Sequence, residues 1–581
     1  MPRKAGGGAA DKAAAKALAT QKTSGSIQKK DAPAAAKPIK IKAPPVDDMC
    51  PGHEAMHIWI DPDAKAPWCA MTNQTNVGAN NNKYYLLQLT QSNINSNEYY
   101  AWFRWGRVGA TAGTTKEGPF GLEAAKSSYC KKFKDKTKND WNAVLRDPKS
   151  FKPASGKYTL VEMDYGASKD SGGGAPKDDE DEDEDEYEES KLTPEVQSLV
   201  QLICDVNMIR ASLLKQGCDL EKMPLGKISK NMVDEGFKAL KALETELEGK
   251  KNAQVLLDLS SRFYTVVPHD FGFQKMQNFV INSMDKLKVK LDLVNDLNDL
   301  YAAHDVLDQR SQRLKARQEA QKRAEKLKTK QLLENPVDSQ YSRLSCELQP
   351  LLLQGGSSAP EITDIVEKFV RNTHAQSHDW LKVKGIKQIF RVNRPEESRK
   401  FEQFHKNSCK KKSFPDNRAL LWHGSRLTNW AGILSQGLRI APPEAPVSGY
   451  MFDKGIYFAD AFSKSAQYCR ADRSKPTGLL LLCEVSLGKQ KMFLSAQTNA
   501  ASMIDYQQVH STYGAGRSRP DPAAEANPSA GELKGVKVPQ GSLVPNTDAG
   551  SSACLMYNEF IIYKMEQCRM RYLVEVEFNF R

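Results

Sequence analysis

Three segments near the end of the chain combine side chains that can bind a sugar and a planar amide. The first, Trp422-His423-Gly424-Ser425, sets an imidazole, a bare backbone position and a hydroxyl side by side. Because glycine has no Cβ, a ligand can approach the main chain closely at Gly424. The imidazole and the hydroxyl can then bond sugar hydroxyls and a carboxamide. A histidine that only satisfies the core is the alternative for His423, and spacing alone does not separate the two.

The second and third segments, residues 449–469 and 557–563, also place polar residues beside small ones on candidate strands. The usual nucleotide-binding patterns are missing, since no GxGxxG follows a strand and no GxxxxGKS/T is present. The sequence therefore argues against both a Rossmann dinucleotide site and a P-loop.

These segments belong to a final region, residues 334–581, that alternates between helical and strand patterns. It begins helically near Pro336 and then turns rich in glycine and in β-branched or aromatic runs. The predicted strands lie at residues 420–423, 455–458, 479–487, 560–563 and 572–578. We therefore expect a mixed domain whose strands carry the candidate site.

Upstream, the period of the hydrophobic pattern divides the chain into further units. Apolar residues recur at helical spacing in 192–333, which predicts an all-helical bundle with Ser229 as a helix N-cap. Its basic end, 310–330, is either a solvated helix face or a contact for DNA or a partner. Residues 47–165 predict a small α+β domain, with strands at 83–89, 99–105 and 157–163 and a lysine-rich helix at 122–140.

Charge is distributed unevenly along the chain. The formal net charge is +12, from 83 Lys and Arg against 71 Asp and Glu. Residues 1–46 predict a disordered basic arm, and 166–191 predict an acidic linker in which 178–189 hold eleven carboxylates in twelve positions. Such a localised positive field favours a polyanion partner such as nucleic acid.

Composition also excludes some classes of protein. No stretch reaches the roughly 18 apolar residues of a membrane helix, and we expect no secretion signal and no membrane partner. The eleven cysteines form no CxxC pair, which favours reduced thiols in a cytosolic or nuclear protein.

The candidate-site segments resemble the catalytic domain of the poly(ADP-ribose) polymerases. The resemblance rests on Leu421-Trp422-His423-Gly424-Ser425, on GYMFDKGIYFAD at 449–460, on SKSAQYC at 463–469, and on Asn558-Glu559-Phe560. Upstream, Trp105-Gly106-Arg107-Val108-Gly109 is similar to the signature of the WGR domain, and KMPLGK at 222–227 with FYTVVPHDF at 263–271 is similar to the helical regulatory domain. From about residue 50 onward the chain resembles the short, DNA-break-activated branch of that family.

The resemblance implies a multidomain α+β protein. We expect a disordered basic arm (1–46), a small WGR α+β domain that binds DNA (47–165), an acidic linker (166–191), an all-α regulatory bundle (192–333) and a mixed α/β ADP-ribosyltransferase domain built on antiparallel sheets (334–581).

His423, Tyr457 and Glu559 match the His-Tyr-Glu set of the family. The match implies that Glu559 bonds the nicotinamide-ribose 2′-hydroxyl of NAD+ and stabilises the positive charge that develops as nicotinamide leaves. Tyr457 would face the nicotinamide ring, His423 the adenosine ribose, and Lys464 the acceptor. The other implied NAD+ contacts are Gly424, Ser425, Asn429, Arg439, Tyr450, Ser465 and Tyr468. Position 453 is Asp where related chains commonly carry Gly, which puts the shape of this loop in doubt.

For DNA, the resemblance points to Asn82, Lys83, Trp105, Arg107 and Tyr158 around the 5′-phosphate side of a nick. Aromatic rings interleaved with cations suit a DNA end, because rings stack on bases while cations meet phosphates. Cys50, His53, His57 and Cys69 invite a zinc interpretation, but their spacing is loose and WGR domains bind no metal. We therefore predict no metal and no cofactor beyond the co-substrate NAD+.

The resemblance thus implies a nuclear NAD+ ADP-ribosyltransferase that DNA strand breaks activate. Its acceptors would be itself, histones and DNA-repair proteins, with an accessory factor possible at the acceptor site, and its product would be poly(ADP-ribose). The helical region would obstruct NAD+ until DNA binds. The alternatives are a mono-ADP-ribosyltransferase, a hydrolase that releases free ADP-ribose, and a non-catalytic DNA-end-binding adaptor.

Overall fold

The computed structural model describes residues 40–41, 44–107, 111–161, 167–168, 187–218, 229–272, 274–307, 332–353, 356–375 and 381–580. Most of the predicted basic arm and acidic linker lies outside these residues. So do the basic stretch at 310–330, the motif residues 222–227, and Val108 and Gly109.

The first region is built on a six-stranded antiparallel sheet with two helices packed on it. The helices are α1 (Leu122–Thr137) and α2 (Trp141–Arg146), and the strands are β1 (Lys40–Ile41), β2 (Met56–Ile58), β3 (Ile60–Asp61), β4 (Ala66–Pro67), β5 (Cys69–Asn76), β6 (Asn81–Ser92), β7 (Tyr99–Arg107), β8 (Gly113–Phe120), β9 (Thr159–Val161) and β10 (Ala167–Ser168). The main sheet runs β8-β7-β6-β5-β9, with β2 also paired to β6. Two further pairs of short strands, β1 with β10 and β3 with β4, form separate two-stranded sheets.

Alternation along β6 builds two cores in this region. Tyr85, Leu87 and Leu89 pack with the aromatic residues of α1 and α2, whereas Tyr84 and Leu86 join a second cluster on the other face of the sheet. Both faces are therefore covered, and only the edges and loops of the sheet remain for a ligand.

The second region is helical, as the hydrophobic period predicts. Its helices are α3 (Pro194–Ile203), α4 (Val206–Lys215), α5 (Lys230–Glu248), α6 (Ala253–Val266), α7 (Met284–Ala302) and α8 (His304–Leu307). The predicted N-cap is confirmed, because the Ser229 hydroxyl accepts a hydrogen bond from the N–H of Met232 and so satisfies one of the free donors in the first turn of α5.

The described residues of the third region form two main sheets and five α-helices. The helices are α9 (Pro336–Arg343), α10 (Pro360–Thr373), α11 (Pro395–Cys409), α12 (Trp430–Gln436) and α13 (Phe462–Ala466). The strands are β11 (Glu347–Pro350), β12 (Leu352–Leu353), β13 (Gly356–Ser357), β14 (Lys382–Asn393), β15 (Arg418–Gly424), β16 (Ile456–Phe458), β17 (Thr477–Ser486), β18 (Gln490–Phe493), β19 (Ser511–Gly514), β20 (Gly516–Pro520), β21 (Leu543–Pro545), β22 (Leu555–Tyr557), β23 (Glu559–Ile562) and β24 (Cys568–Asn579).

Antiparallel pairing dominates this third region. One sheet has the order β11-β14-β24-β17-β15, and the other has the order β16-β23-β19-β18. Pairing is parallel between β18 and β19 and between β20 and β22. The mixed α+β class and the five predicted strands are confirmed, whereas the predicted domain boundaries stay predictions.

Direct contacts join the first two regions. The Asn82 amide donates to the carbonyl of His269 at 2.8 Å, and the N–H of Val77 donates to the hydroxyl of Ser261 at 3.0 Å. His269 in turn lies beside α7, where the Lys290 Nζ is 2.8 Å from its Nε2. No helix in the described part of the chain is long and apolar enough to cross a bilayer.

Candidate active site

Strand register brings Tyr457 and Glu559 to one face of the second sheet. Tyr457 on β16 pairs with Ile561 on β23, and Glu559 lies two residues from Ile561 along the same strand. Because side chains two residues apart in a strand share a face, Glu559 lies diagonally across from Tyr457.

Strand β15 brings His423 close to Tyr457. The backbone of Trp422 pairs with that of Ala459, and the His423 Nδ1 is 2.9 Å from the Tyr457 carbonyl oxygen. A carbonyl can only accept, so Nδ1 carries the proton, and burial lowers the pKa of the imidazole. The ring is therefore neutral near pH 7, and its unprotonated Nε2 can accept a hydrogen bond from a sugar hydroxyl.

Gly424 meets the backbone of Ser465 so closely that no other residue fits. A Cβ at position 424 would lie 2.0 Å from the Ser465 carbonyl oxygen. The Ser465 hydroxyl donates to the Trp422 carbonyl at 3.1 Å, and this side chain is 4% exposed. The two residues thus form a fixed wall with backbone polar groups at its surface, as a carboxamide-binding site requires.

Glu559 is a buried carboxylate with one oxygen paired and one unpaired. The Lys464 Nζ is 2.6 Å from Oε1, while Oε2 has no hydrogen-bond partner among the described residues. Burial lowers the pKa of Lys464, but Glu559 and Tyr468 together outweigh it, so the net shift is upward and the ammonium stays charged at neutral pH. An unpaired buried oxygen is costly, which is typical of a group that waits for a ligand.

The tyrosines of the site differ in exposure. The Tyr457 hydroxyl donates to the carbonyl of Asp453 at 2.6 Å, and burial raises the pKa of this phenol, so it stays neutral. The Tyr450 ring lies 6.2 Å from the Tyr457 ring. Tyr468 is 50% exposed, with the Lys464 Nζ 5.9 Å from its ring centre.

Asp453, the departure from the family pattern, adopts a left-handed backbone with φ of 62°. Glycine reaches this conformation without strain, which gives a physical reason for glycine at this position in related chains. Here the carboxylate compensates, since Oδ1 accepts from the N–H of Lys454 at 2.8 Å and Oδ2 from that of Ala501 at 3.2 Å. The loop therefore keeps its turn with a different residue.

Of the predicted adenosine-side residues, Asn429 and Arg439 are engaged directly by α7. Asn429 donates to Asp296 at 3.1 Å and also to the hydroxyl of Ser425 at 3.1 Å. Arg439 forms an ion pair with Asp299, and the Tyr450 hydroxyl accepts from Asn295 at 3.3 Å. These contacts couple the helical region to the candidate site.

Sequence reasoning missed the α7 side of this interface. Its polar residues at 292, 295, 296 and 299 recur at spacings of three and four along an amphipathic helix. Such spacing places them on one face, and that signal could have identified them.

The predicted DNA-binding residues divide into two groups. Trp105 stacks on Tyr85 at 5.5 Å, Tyr158 packs edge-on against Tyr85 at 5.9 Å, and Lys83 lies opposite Arg107 across the β6–β7 ladder. These residues form a cationic, aromatic patch at one end of the sheet. Asn82 differs, because it is 2% exposed and its amide is bound to the helical region, so this geometry does not offer it to a phosphate.

Comparison with known proteins agrees with these regions one by one. Residues 68–148 match the WGR domain, residues 190–341 the poly(ADP-ribose) polymerase regulatory domain, and residues 361–578 the poly(ADP-ribose) polymerase catalytic domain. The chain is 40% identical to poly(ADP-ribose) polymerase 2 of Arabidopsis thaliana over 514 residues, which cover 88% of this chain and 73% of that protein.

The chain belongs to the poly(ADP-ribose) polymerase family.

Two further relatives illustrate the range of the family. The human poly(ADP-ribose) polymerase 2 is 36% identical over 549 residues, covering 93% of this chain and 84% of that protein. The chicken poly(ADP-ribose) polymerase 1 is 33% identical over 502 residues, covering 86% of this chain and 44% of that protein. This polymerase is accordingly an NAD+ ADP-ribosyltransferase. Among its described residues, no group of three or more His, Cys, Asp or Glu side chains is arranged to hold a metal ion.

Proposed function

We propose that DNA strand breaks switch this polymerase on in the nucleus, where it attaches poly(ADP-ribose) to itself, to histones and to DNA-repair proteins. The observation that carries the proposal is the convergence of His423, Tyr457 and Glu559 from three adjoining strands, with one carboxylate oxygen of Glu559 left unpaired.

In the reaction, the bond between C1′ of the ribose and the nicotinamide nitrogen breaks, and nicotinamide leaves with the electron pair. Glu559 stabilises the positive charge that this leaves on the ribose and binds its 2′-hydroxyl through the free Oε2. The acceptor hydroxyl then attacks C1′, and its proton passes to the Glu559 carboxylate. Lys464 holds that carboxylate in place through Oε1.

The substrate-binding residues act on either side of this centre. Gly424 and Ser465 grip the nicotinamide carboxamide, and the Tyr457 and Tyr468 rings flank the nicotinamide. His423 accepts a hydrogen bond from the adenosine ribose through Nε2, and Ser425, Asn429, Arg439 and Tyr450 line the remaining adenosine and phosphate half. NAD+ is a co-substrate here, and the chemistry calls for no metal.

At the other end of the molecule, Trp105 and Tyr158 stack against a nicked end while Lys83 and Arg107 bind its 5′-phosphate side. This binding is salt-dependent and largely independent of sequence, because phosphates carry no base information. Asn82 then acts as a link to the helical region, a role that its bond to His269 supports better than direct DNA contact.

The contacts of α7 with the predicted NAD+ site support a mechanism that regulates NAD+ binding. Asp296 and Asp299 occupy the polar groups of Asn429 and Arg439 that NAD+ needs, so the resting enzyme binds NAD+ poorly. DNA binding at the first region shifts the population toward a state in which α7 has released them.

The test is incubation of the full chain with labelled NAD+, with and without nicked DNA, alongside Glu559→Gln as an inactive control. A DNA-dependent protein ladder supports polymerisation, whereas one discrete band indicates mono-ADP-ribosylation and free ADP-ribose indicates hydrolysis. If the protein binds DNA but does not turn over NAD+, the alternative of a non-catalytic DNA-end-binding adaptor would be supported. Addition of nuclear extract tests whether an accessory factor completes the acceptor site.

A second variant tests the regulation. Removing residues 192–333 should give high activity without DNA, and an unchanged basal rate would overturn the autoinhibition.

A further inference from the structure

The strand pairing that carries the active site stops just before Glu559. Backbone pairing between β16 and β23 runs from Ile456–Ile562 to Phe458–Phe560 and ends there. Continued in the same register, Ala459 would face Glu559 and Asp460 would face Asn558. The Ala459 backbone is instead bonded to Trp422, at 2.8 and 2.9 Å. On the β16 side, Glu559 therefore lacks the backbone ladder that fixes its neighbours.

A side-chain bond takes over at the next register position. The Asn558 Nδ2 donates to the Asp460 Oδ2 at 2.6 Å, between two residues that are 2% and 5% exposed. A hydrogen bond to a buried carboxylate is among the strongest that a protein makes. It spans the same two strands as the missing backbone pairs.

The other half of the Asn558 amide is also committed. Its Oδ1 accepts from the Tyr513 hydroxyl at 3.0 Å and from the N–H of Gly516 at 2.9 Å. These donors fix which end of the amide is oxygen, so the NH₂ group can point only toward Asp460. Asn546 supports the same group by donating to the Tyr513 hydroxyl at 3.2 Å and to the Gly516 carbonyl at 2.9 Å.

Asp460 is held at some cost. Its Oδ1 has no hydrogen-bond partner among the described residues, and burial raises the pKa of the carboxyl to about 7, against the opposing influence of Asn558 and Arg519. A buried, half-satisfied carboxylate destabilises a fold, so its presence here points to a role other than stability. A polar residue that only filled space here would be better replaced by an apolar one.

We propose that the Asp460–Asn558 bond is a positioning device that fixes the backbone at Glu559, and so aims its carboxylate at the nicotinamide ribose. Neither residue touches the reacting atoms, and both act through Glu559. This inference rests on the proposed role of Glu559 in the reaction.

The test exploits the directionality of the bond. In the full chain with nicked DNA, D460A and N558A should lower kcat about 100-fold, the scale of a misplaced catalytic group, while the KM for NAD+ changes less than about threefold. D460N keeps an acceptor oxygen for Asn558 and should retain most of the activity. N558D alone sets two carboxylates against each other and should be the least active variant.

The decisive variant is the exchange D460N/N558D, which restores the bond with donor and acceptor reversed. It should recover at least tenfold over N558D, with a melting temperature close to that of the wild type. A folded D460A with unchanged kcat would overturn the proposal. So would an exchange variant that is folded yet no more active than N558D, and this comparison decides the matter if D460A does not fold.

E559Q separates this proposal from the function on which it rests. If E559Q keeps its activity, the assigned role of Glu559 is wrong. If E559Q is inactive while D460A and N558A turn over normally, only the positioning role is wrong.

Discussion

The amide of Asn429 donates a hydrogen bond to the carboxylate of Asp296, at an Nδ2–Oδ1 distance of 3.1 Å, across 133 positions of the chain. One residue belongs to the predicted NAD+ site and the other to the regulatory helix α7. The same carboxylate also accepts from Gln216 at 3.1 Å and lies 3.4 Å from the Arg426 guanidinium. Under the proposed regulation, Asp296 is the centre of the interface that keeps the enzyme at rest.

Replacing Asp296 by alanine should raise activity in the absence of DNA. Hydrogen bonds to a charged group contribute about 1.5–3 kcal/mol each, so losing them should raise the DNA-independent rate by about tenfold or more. The measurement is NAD+ turnover without DNA. Asp285→Ala, an exposed position on the same helix, is the control and should leave the basal rate unchanged. A basal rate for D296A equal to that of the wild type would contradict the autoinhibitory role of this contact.

A glycine on the catalytic side offers an independent route to the same result. A Cβ at Gly432, on α12, would lie 2.5 Å from the carbonyl oxygen of Asp299, which is helix backbone and cannot turn aside. G432A should therefore push α7 away and raise DNA-independent turnover severalfold, although the residue contributes no group to NAD+ binding. The matched control is G385A, where a Cβ meets nothing within 4 Å. Equal basal rates for the two variants would show that α7 does not need this close approach.

The burial of Lys290 should make the stability of the fold depend on pH. Burial lowers the pKa of Lys290 from its usual 10.5 to about 8. Between these values the unfolded chain holds a proton that the folded protein has lost, so raising the pH favours the folded state. The melting temperature of the wild type minus that of K290M should therefore increase as the pH rises from 8 to 10. K288M, at an exposed position of the same helix, should show no such divergence. A constant difference between the wild type and K290M would mean that Lys290 titrates normally.

Replacing Asp453 by glycine should destabilise the fold less than replacing it by alanine. At its positive φ an alanine keeps the backbone cost and loses both carboxylate bonds, which amounts to a destabilisation of about 2 kcal/mol. Glycine loses the same bonds but relieves the backbone, so D453G should be destabilised by about 1 kcal/mol or less. Thermal melting should therefore rank the wild type and D453G above D453A. If D453A and D453G have the same melting temperature, the left-handed backbone conformation costs no stability at this position.

Much of the secondary structure could be predicted from local sequence patterns. The alternating run at 83–89 lies within β6, and the serine that was expected to cap a helix does cap α5. These features depend on neighbours in sequence, which a single chain displays directly.

Features that depend on distant neighbours could not be predicted in this way. Asn82 sits among residues suited to DNA, yet its amide faces His269, and nothing near position 82 records that helical partner. The bond from Asn429 to Asp296 is hidden for the same reason. By contrast, the family motifs did point to Gly424 and Ser465 as one site, because both residues belong to segments that match the family.

The regulatory helix α7 contacts residues of two interfaces. Lys290 contacts His269, whose carbonyl accepts from Asn82 of the first region, and Asp299 pairs with Arg439 of the predicted NAD+ site. The two α7 residues are nine positions, or about 14 Å, apart along the helix. A rigid element shared by two interfaces makes their binding equilibria reciprocal. Whatever factor a DNA break adds to the affinity for NAD+, a bound NAD+ analogue must add to the affinity for the break. Under the proposed coupling, an unreactive NAD+ analogue should therefore lengthen the time that this enzyme stays bound at a lesion.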